Sequence, residues 1–251
     1  MKVFSTLSEV LRRDGLVGAL RYIVETVKWQ YVVYRYDIAF DKKYGVDTRG
    51  IEHAYLANVQ SENVGAARPY EATKQFDFDR LMALIHVDRR RVVFVDAGSG
   101  KGRALFFAAL AGFERIIGVE FSDELTQVAR QNIEIFKKRT GCGASIEAHA
   151  ADMTTFEFPD ADILLYMYNP FGDTVMRHVM DRAVAFVRRT GRQFHIAYRN
   201  PTCAALIESI PGIEIVESNR LYAVYRLTAA VTAPEPAAAP SVCSAGLKST
   251  S

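Results

Sequence analysis

The chain has 251 residues, 49% of them hydrophobic and 24% charged, the balance of an ordinary soluble globular protein and not of a disordered or fibrous one. Lys and Arg total 31 against 29 Asp and Glu, for a formal net charge of +2, far from the basic excess of a dedicated nucleic-acid-binding domain. Cys142, Cys203 and Cys243 are odd in number and scattered, which argues against a disulfide framework and against a zinc or other metal site, and makes a reducing, cytoplasmic setting the default.

The opening residues, Met1 to Arg13, lack the apolar core of a secretory signal. Residues 5–40 read as helical, because Leu16, Leu20, Ile23, Val24 and Val27 fall on one stripe. Trp29, Tyr31, Tyr34 and Tyr36 follow it. The stretch from Leu16 to Phe40 is broken by Arg21, Glu25, Lys28, Arg35 and Asp37, so it is no transmembrane segment. The stripe suits a helix packed on the main domain, or a homodimer contact with a second copy. The flanking Arg, Lys and Trp also suit a helix lying at a membrane interface, although the polar face carries both signs of charge. Residues 41–75, with Gly45, Gly50, Gly65 and Pro69, read as a loop-rich approach. The expected organisation is an N-terminal helical and loop extension over 1–75, a regular domain over 76–227, and a disordered Ala-, Pro- and Ser-rich tail over 228–251.

Within the regular domain the pattern alternates. A helix is expected from Phe76 to Ile85. Val92 to Val95 is an unbroken apolar run, as a strand buried on both faces requires. A helix from Lys101 to Ala111, a strand from Arg115 to Val119 and a helix from Asp123 to Arg139 follow. Strands at Ser145–His149 and Ile163–Met167, a helix from Thr174 to Arg189, a strand at Gln193–Tyr198 and a short helix at Ala204–Ser209 continue the alternation. Ile213–Val216 and Leu221–Leu227 close it as an antiparallel hairpin. This predicts an α/β fold: a Rossmann-like, doubly wound, mainly parallel seven-stranded sheet with a C-terminal antiparallel hairpin, preceded by a helical extension.

The strongest local signal is Val95-Asp96-Ala97-Gly98-Ser99-Gly100-Lys101-Gly102-Arg103, a glycine-rich turn between a buried strand and a helix. Such a turn lets a ligand approach the backbone at a helix N-terminus. A P-loop needs Gly where Val95 stands and Ser or Thr where Gly102 stands. A dinucleotide fingerprint needs a third glycine where Arg103 stands. What remains is an acidic residue followed by alternating glycines. Glu120, closing Ile116-Ile117-Gly118-Val119, lies about 20 residues past the turn, where an acidic residue takes ribose hydroxyls in dinucleotide folds. Asp152 and Met153 follow the third strand, and Tyr168-Asn169-Pro170-Phe171 follow the fourth. Read alone, Asp152 is a turn former and Asn169-Pro170 a strand stop.

The Asp96 to Gly102 pattern resembles motif I of the class I S-adenosylmethionine-dependent methyltransferases. With Gly118-Val119-Glu120-Phe121-Ser122 and Tyr168-Asn169-Pro170-Phe171, it is also similar to a group of uncharacterised bacterial methyltransferases and to some protein-lysine methyltransferases. The resemblance covers roughly residues 70–227. It implies that S-adenosyl-L-methionine is the cofactor, that Asp96 places its amino group, and that Gly98, Ser99, Gly100, Gly102 and Arg103 form the turn around it. Glu120 and Phe121 then meet the ribose, Asp152 and Met153 the adenine, and Tyr70 and Thr73, from Pro69-Tyr70-Glu71-Ala72-Thr73, close the pocket. Asn169 faces the transferred methyl, with Pro170 and Phe171 walling the acceptor and Tyr168 assisting. The Asn-Pro-Phe string is one proline short of the form used on planar amino groups. The acceptor stays open between a small molecule and a protein side chain, at nitrogen or oxygen. A dinucleotide-dependent oxidoreductase and a non-catalytic binding or scaffold protein are the alternatives.

Overall fold

The computed structural model describes residues 2–49, 51–52 and 70–229. The expected tail over 228–251 lies outside the described residues from position 230 on, as does Cys243. The extension opens with α1 (Lys2–Tyr44), broken at Gly15 by a φ of 66°. Two short strands, β1 (Ile51–Glu52) and β2 (Tyr70–Glu71), pair antiparallel. The expected 5–40 helix is therefore longer and split, and the 41–75 approach carries a small ladder of its own.

The remaining elements are α2 (Gln75–Ala83), β3 (Val93–Ala97), α3 (Arg103–Leu110), β4 (Arg115–Glu120), α4 (Asp123–Thr140), β5 (Ser145–Ala150), β6 (Ile163–Tyr168), α5 (Asp173–Thr190), β7 (Phe194–Arg199), α6 (Ala204–Glu208), β8 (Ile213–Ser218) and β9 (Tyr222–Leu227). Seven strands form one sheet in the order β5-β4-β3-β6-β7-β9-β8. The first five are parallel, and β9 pairs antiparallel with both β7 and β8. This is the Rossmann-like, doubly wound sheet with an antiparallel terminal hairpin. The chain leaves β3 toward β4 and returns to its other side at β6, so the order reverses at β3. Ligands of such sheets bind outside the carboxyl ends of the strands at that reversal.

Burial explains the order. β3 is buried along its whole length and β6 over all but Tyr168, as strands covered on both faces must be. On one face Met176, Val179, Met180 and Ala183 of α5 pack on Val93, Val95 and Leu165. On the other, Phe78 of α2 and Leu105, Phe106 and Phe107 of α3 pack on Phe94 and Tyr166. The helix ends are written locally. Ser122 Oγ accepts from the Leu125 N–H at 3.3 Å and caps α4. Gly141 and Gly191 close α4 and α5 in the left-handed region, behind Lys137, Lys138 and Arg139 and behind Arg188 and Arg189.

Candidate functional site

The site begins where β3 runs out. The Gly98 and Ser99 N–H groups both donate to the Val119 carbonyl, at 2.8 and 3.2 Å, which folds the glycine-rich turn back over β4. Gly98 has a φ of 79°, and a Cβ there would lie 2.8 Å from Pro170 Cβ. Only glycine satisfies both the backbone and the neighbour. The turn after β3 and the Asn169-Pro170 turn after β6 are thereby in contact. Gly102, at a φ of 89°, is the N-cap of α3.

Glu120 ties the turn to the next helix. Its Oε2 accepts from the Gly100 N–H at 2.9 Å and its Oε1 from the Ser122 N–H at 3.0 Å. Gly118, expected only as part of the strand that Glu120 closes, is a steric requirement of the turn. A Cβ there would fall 2.7 Å from Ser99 Oγ, so its absence admits the turn. A glycine inside an apolar strand marks such a close approach.

Asp96 and Glu120 are 4% and 5% exposed. Burial, aided by the Glu120 charge, pushes the Asp96 carboxyl up to about 8. Burial also raises Glu120, against the pull of the N–H groups of Ser122, Gly100 and Phe121. Two acids at one crevice, both held toward the neutral form, suit a ligand that brings hydroxyl groups and a positive charge.

The segment after β2 lies over this crevice. Ala72 packs on Phe121 and Leu125, and the Tyr166 hydroxyl donates to Thr73 Oγ1 at 3.4 Å. Tyr166 is the register partner of Asp96, so Thr73 and Phe121 sit on the rim that Asp96 and Glu120 line. The Tyr70 backbone belongs to β2, and its side chain lies outside the described residues. The chain leaving β5 reaches the same rim, because the Ala151 N–H donates to the Glu120 carbonyl at 2.9 Å. Asp152 Oδ1 accepts from the N–H and hydroxyl of Thr154 at 2.8 and 2.7 Å, and Met153 is buried in the core cluster that includes Val119.

Arg103 departs from expectation. It was grouped with the turn as a cofactor contact, but its guanidinium runs toward the N-terminal extension. Its Nε donates to Thr48 Oγ1 at 2.6 Å, and its Nη2 lies 3.3 Å from Asp41 Oδ1. Its planar end sits 5.5 Å from the Phe40 ring centroid. The reason is physical: Asp41 is itself buried, and a buried acid needs a counter-charge.

The other half of the crevice is built after β6 and β7. Asn169 takes a φ of 41°, and Asn200, after β7, one of 52°. Each precedes a proline, and Asn tolerates the left-handed region better than most residues. Asn169 Oδ1 accepts from the Thr202 hydroxyl at 2.6 Å, so this oxygen already holds one hydrogen bond. The Arg199 guanidinium stands 5.6 Å from the Tyr168 ring centroid. Its Nε is 2.9 Å from Asp77 Oδ2, at ion-pair distance, although neither atom completes an aligned hydrogen bond. Phe171 packs on the core, and its carbonyl accepts from Cys203 Sγ at 3.7 Å. Thr202, Arg199 and Asp77 were not anticipated. The repeated Asn-Pro pair, 169–170 and 200–201, was the signal available. A cavity of about 630 Å³ lined by Asp160, Asp162, Arg189 and Arg192 lies at the opposite, amino ends of β6 and β7.

Residues 73–178 match the family model described as histone methylation protein DOT1. No curated protein matches the chain. Similar solved structures include an RNA methyltransferase from Salinibacter ruber in complex with S-adenosyl-L-homocysteine, at 22% identity and a TM-score of 0.46 over 65% of this chain and 96% of that one. Another is the Pyrococcus abyssi tRNA (uracil-54, C5)-methyltransferase with the same ligand, at 16% identity and 0.45 over 64% and 41%. A third is the magnesium protoporphyrin IX methyltransferase of Synechocystis with bound S-adenosylmethionine, at 15% and 0.39 over 61% and 79%.

Proposed function

We propose that the chain is a methyltransferase that uses S-adenosyl-L-methionine and passes its methyl group to a nitrogen or oxygen acceptor on a small molecule or a protein side chain. The observation that carries this reading is the convergence of Asp96, the Gly98–Gly102 turn and Glu120 with Asn169 and Pro170 at the point where the strand order reverses. The residues fit the cofactor. Gly98, Gly100 and Gly102 give the turn its left-handed backbone, and the two buried acids suit an ammonium group and a pair of ribose hydroxyls.

When bound, the sulfonium supplies an already activated methyl group. The work left to this chain is binding and orientation, which at best contribute about 7–11 kcal/mol of rate enhancement. Asp96 holds the amino end and Glu120, with Phe121, the ribose. Asp152 and Met153 flank the adenine, while Ser99, Tyr70 and Thr73 border the closed pocket. Tyr168, Asn169, Pro170 and Phe171 hold the acceptor, and Thr202 fixes the Asn169 amide toward it.

Calorimetric titration tests the reading. S-adenosylmethionine and S-adenosylhomocysteine are expected to bind in the micromolar range, with NADH silent. Asp96→Ala and Glu120→Ala are each expected to weaken binding at least about tenfold, a loss of about 1.4 kcal/mol or more. Preference for NADH, or full affinity in both variants, would overturn it.

A further inference from the structure

The segment of α1 beyond the break at Gly15 has one bare side. Leu16, Val17, Leu20, Val27 and Tyr31 are 80, 82, 63, 58 and 61% exposed, and Ile23 and Val24 are 42% exposed. Ala19, across the helix, is buried, so this segment already turns one edge toward the rest of the chain. At helical spacing Leu16, Leu20, Ile23, Val24, Val27 and Tyr31 form one continuous face. Val24 and Tyr31 widen it beyond the narrow seam of a two-stranded coiled coil.

Arg21, Lys28 and Arg35 recur every seventh residue, and all three are exposed. That interval keeps them in a single row, and it runs along one border of the apolar face. The one acid between Leu16 and Arg35 is Glu25, which lies beyond the row on the polar side and pairs with Lys28 at 3.3 Å. Charge therefore selects the occupant. Two copies of this helix paired antiparallel would set the cation row against itself. Paired parallel, they would set Arg21 and Lys28 against the Ala19–Thr26 stretch of the other edge, which offers those two cations no acid.

We propose that this face docks on the anionic headgroup surface of a lipid bilayer. The apolar stripe would enter the headgroup boundary, with the Arg21–Lys28–Arg35 row at the level of the lipid phosphates. The helix lies on the bilayer and does not cross it: among the described residues no helix is long and apolar enough to span one. The anchored end of α1 then ties the docked face to the glycine-rich turn through Asp41 and Arg103.

The test is vesicle sedimentation with the full chain. Vesicles of phosphatidylcholine and phosphatidylserine in equal parts are expected to carry the protein down at low salt, and phosphatidylcholine vesicles much less. Arg21→Gln/Lys28→Gln/Arg35→Gln should weaken the partition about 100-fold, from about 1 kcal/mol per cation. Leu20→Ser/Val27→Ser should weaken it by a similar factor, from the apolar area lost. Both variants change exposed residues, so circular dichroism and thermal midpoint should match the wild type. Failure of the wild type to bind, or undiminished binding by both variants, would overturn the proposal. So would a concentration-dependent dimer, seen by sedimentation equilibrium and dissolved by Leu20→Ser/Val27→Ser, that leaves vesicles alone; that outcome assigns the face to a second copy.

Discussion

Two buried charge clusters flank the glycine-rich turn, and they are built on opposite principles. In the first, Asp41 accepts from the Thr48 N–H and hydroxyl and from Arg49, and Arg103 closes the network. The counter-charge comes from within the chain. In the second, Asp96 and Glu120 face one crevice, and the charge acting on Asp96 is that of another acid. The first cluster is complete and holds the N-terminal extension to the core. On the proposed reading, the second is completed by the ligand. Buried charge alone therefore does not mark a binding site; buried charge without its complement does.

Breaking the complete cluster should cost most. Arg103→Leu leaves the buried Asp41 with only the half-exposed Arg49 as counter-charge, for an expected loss of up to about 3–5 kcal/mol and a thermal midpoint roughly 10 °C lower in a chain of this size. Limited proteolysis should then cut within residues 40–49. Asp41→Asn added to Arg103→Leu should recover part of the loss, because no stranded charge remains. A double variant no more stable than the single one would show that Arg103 holds the extension by packing on Phe40 and not by charge.

The incomplete cluster should respond with the opposite sign. The Asp96 carboxyl is raised from the ordinary range to about 8 in the folded protein. The folded state thus binds a proton that the unfolded chain has released. Its contribution is fully present below about pH 4 and is lost as pH rises through about 8. Asp96→Asn removes that slope. In thermal melts without cofactor it should be the more stable protein near pH 8, by roughly 2–4 kcal/mol, and should converge on the wild type near pH 4. The same substitution should weaken S-adenosylmethionine binding. Wild-type affinity should rise with pH across that window, with proton release visible in buffers of different ionisation enthalpy. A wild-type melting profile flat from pH 4 to 8 would show that Asp96 is ionised throughout.

Sequence showed the second cluster and hid the first, for a physical reason. Asp96, the glycines and Glu120 are locally determined: each sits at a strand end or in a tight turn, where chain geometry restricts the residue type. The strands and helices of the sheet were legible on the same ground, since unbroken apolar runs and helical stripes are local patterns. The Asp41–Thr48–Arg103 network joins positions far apart in the chain, and nothing near Asp41 marks it as buried. The break at Gly15 was missed because the apolar stripe begins at Leu16 and masks the interruption. Thr202 and Arg199 were missed because Asn200-Pro201 was not weighed beside Asn169-Pro170.

The acceptor side offers the finest test of how separate the two halves of the crevice are. Thr202→Val keeps the side-chain shape but removes the hydroxyl that donates to Asn169 Oδ1 at 2.6 Å. That bond is exposed, so its loss should cost only about 0.5–1 kcal/mol, or roughly 2–3 °C in thermal midpoint. Asn169 keeps its left-handed turn, because Pro170 still packs against Gly98. Cofactor affinity by calorimetry should therefore stay within about twofold of the wild type, a change below the worth of one hydrogen bond. A tenfold loss would mean that Asn169 orders the cofactor side as well as the acceptor side, and that the turns after β3 and β6 act as one unit through the Gly98–Pro170 contact.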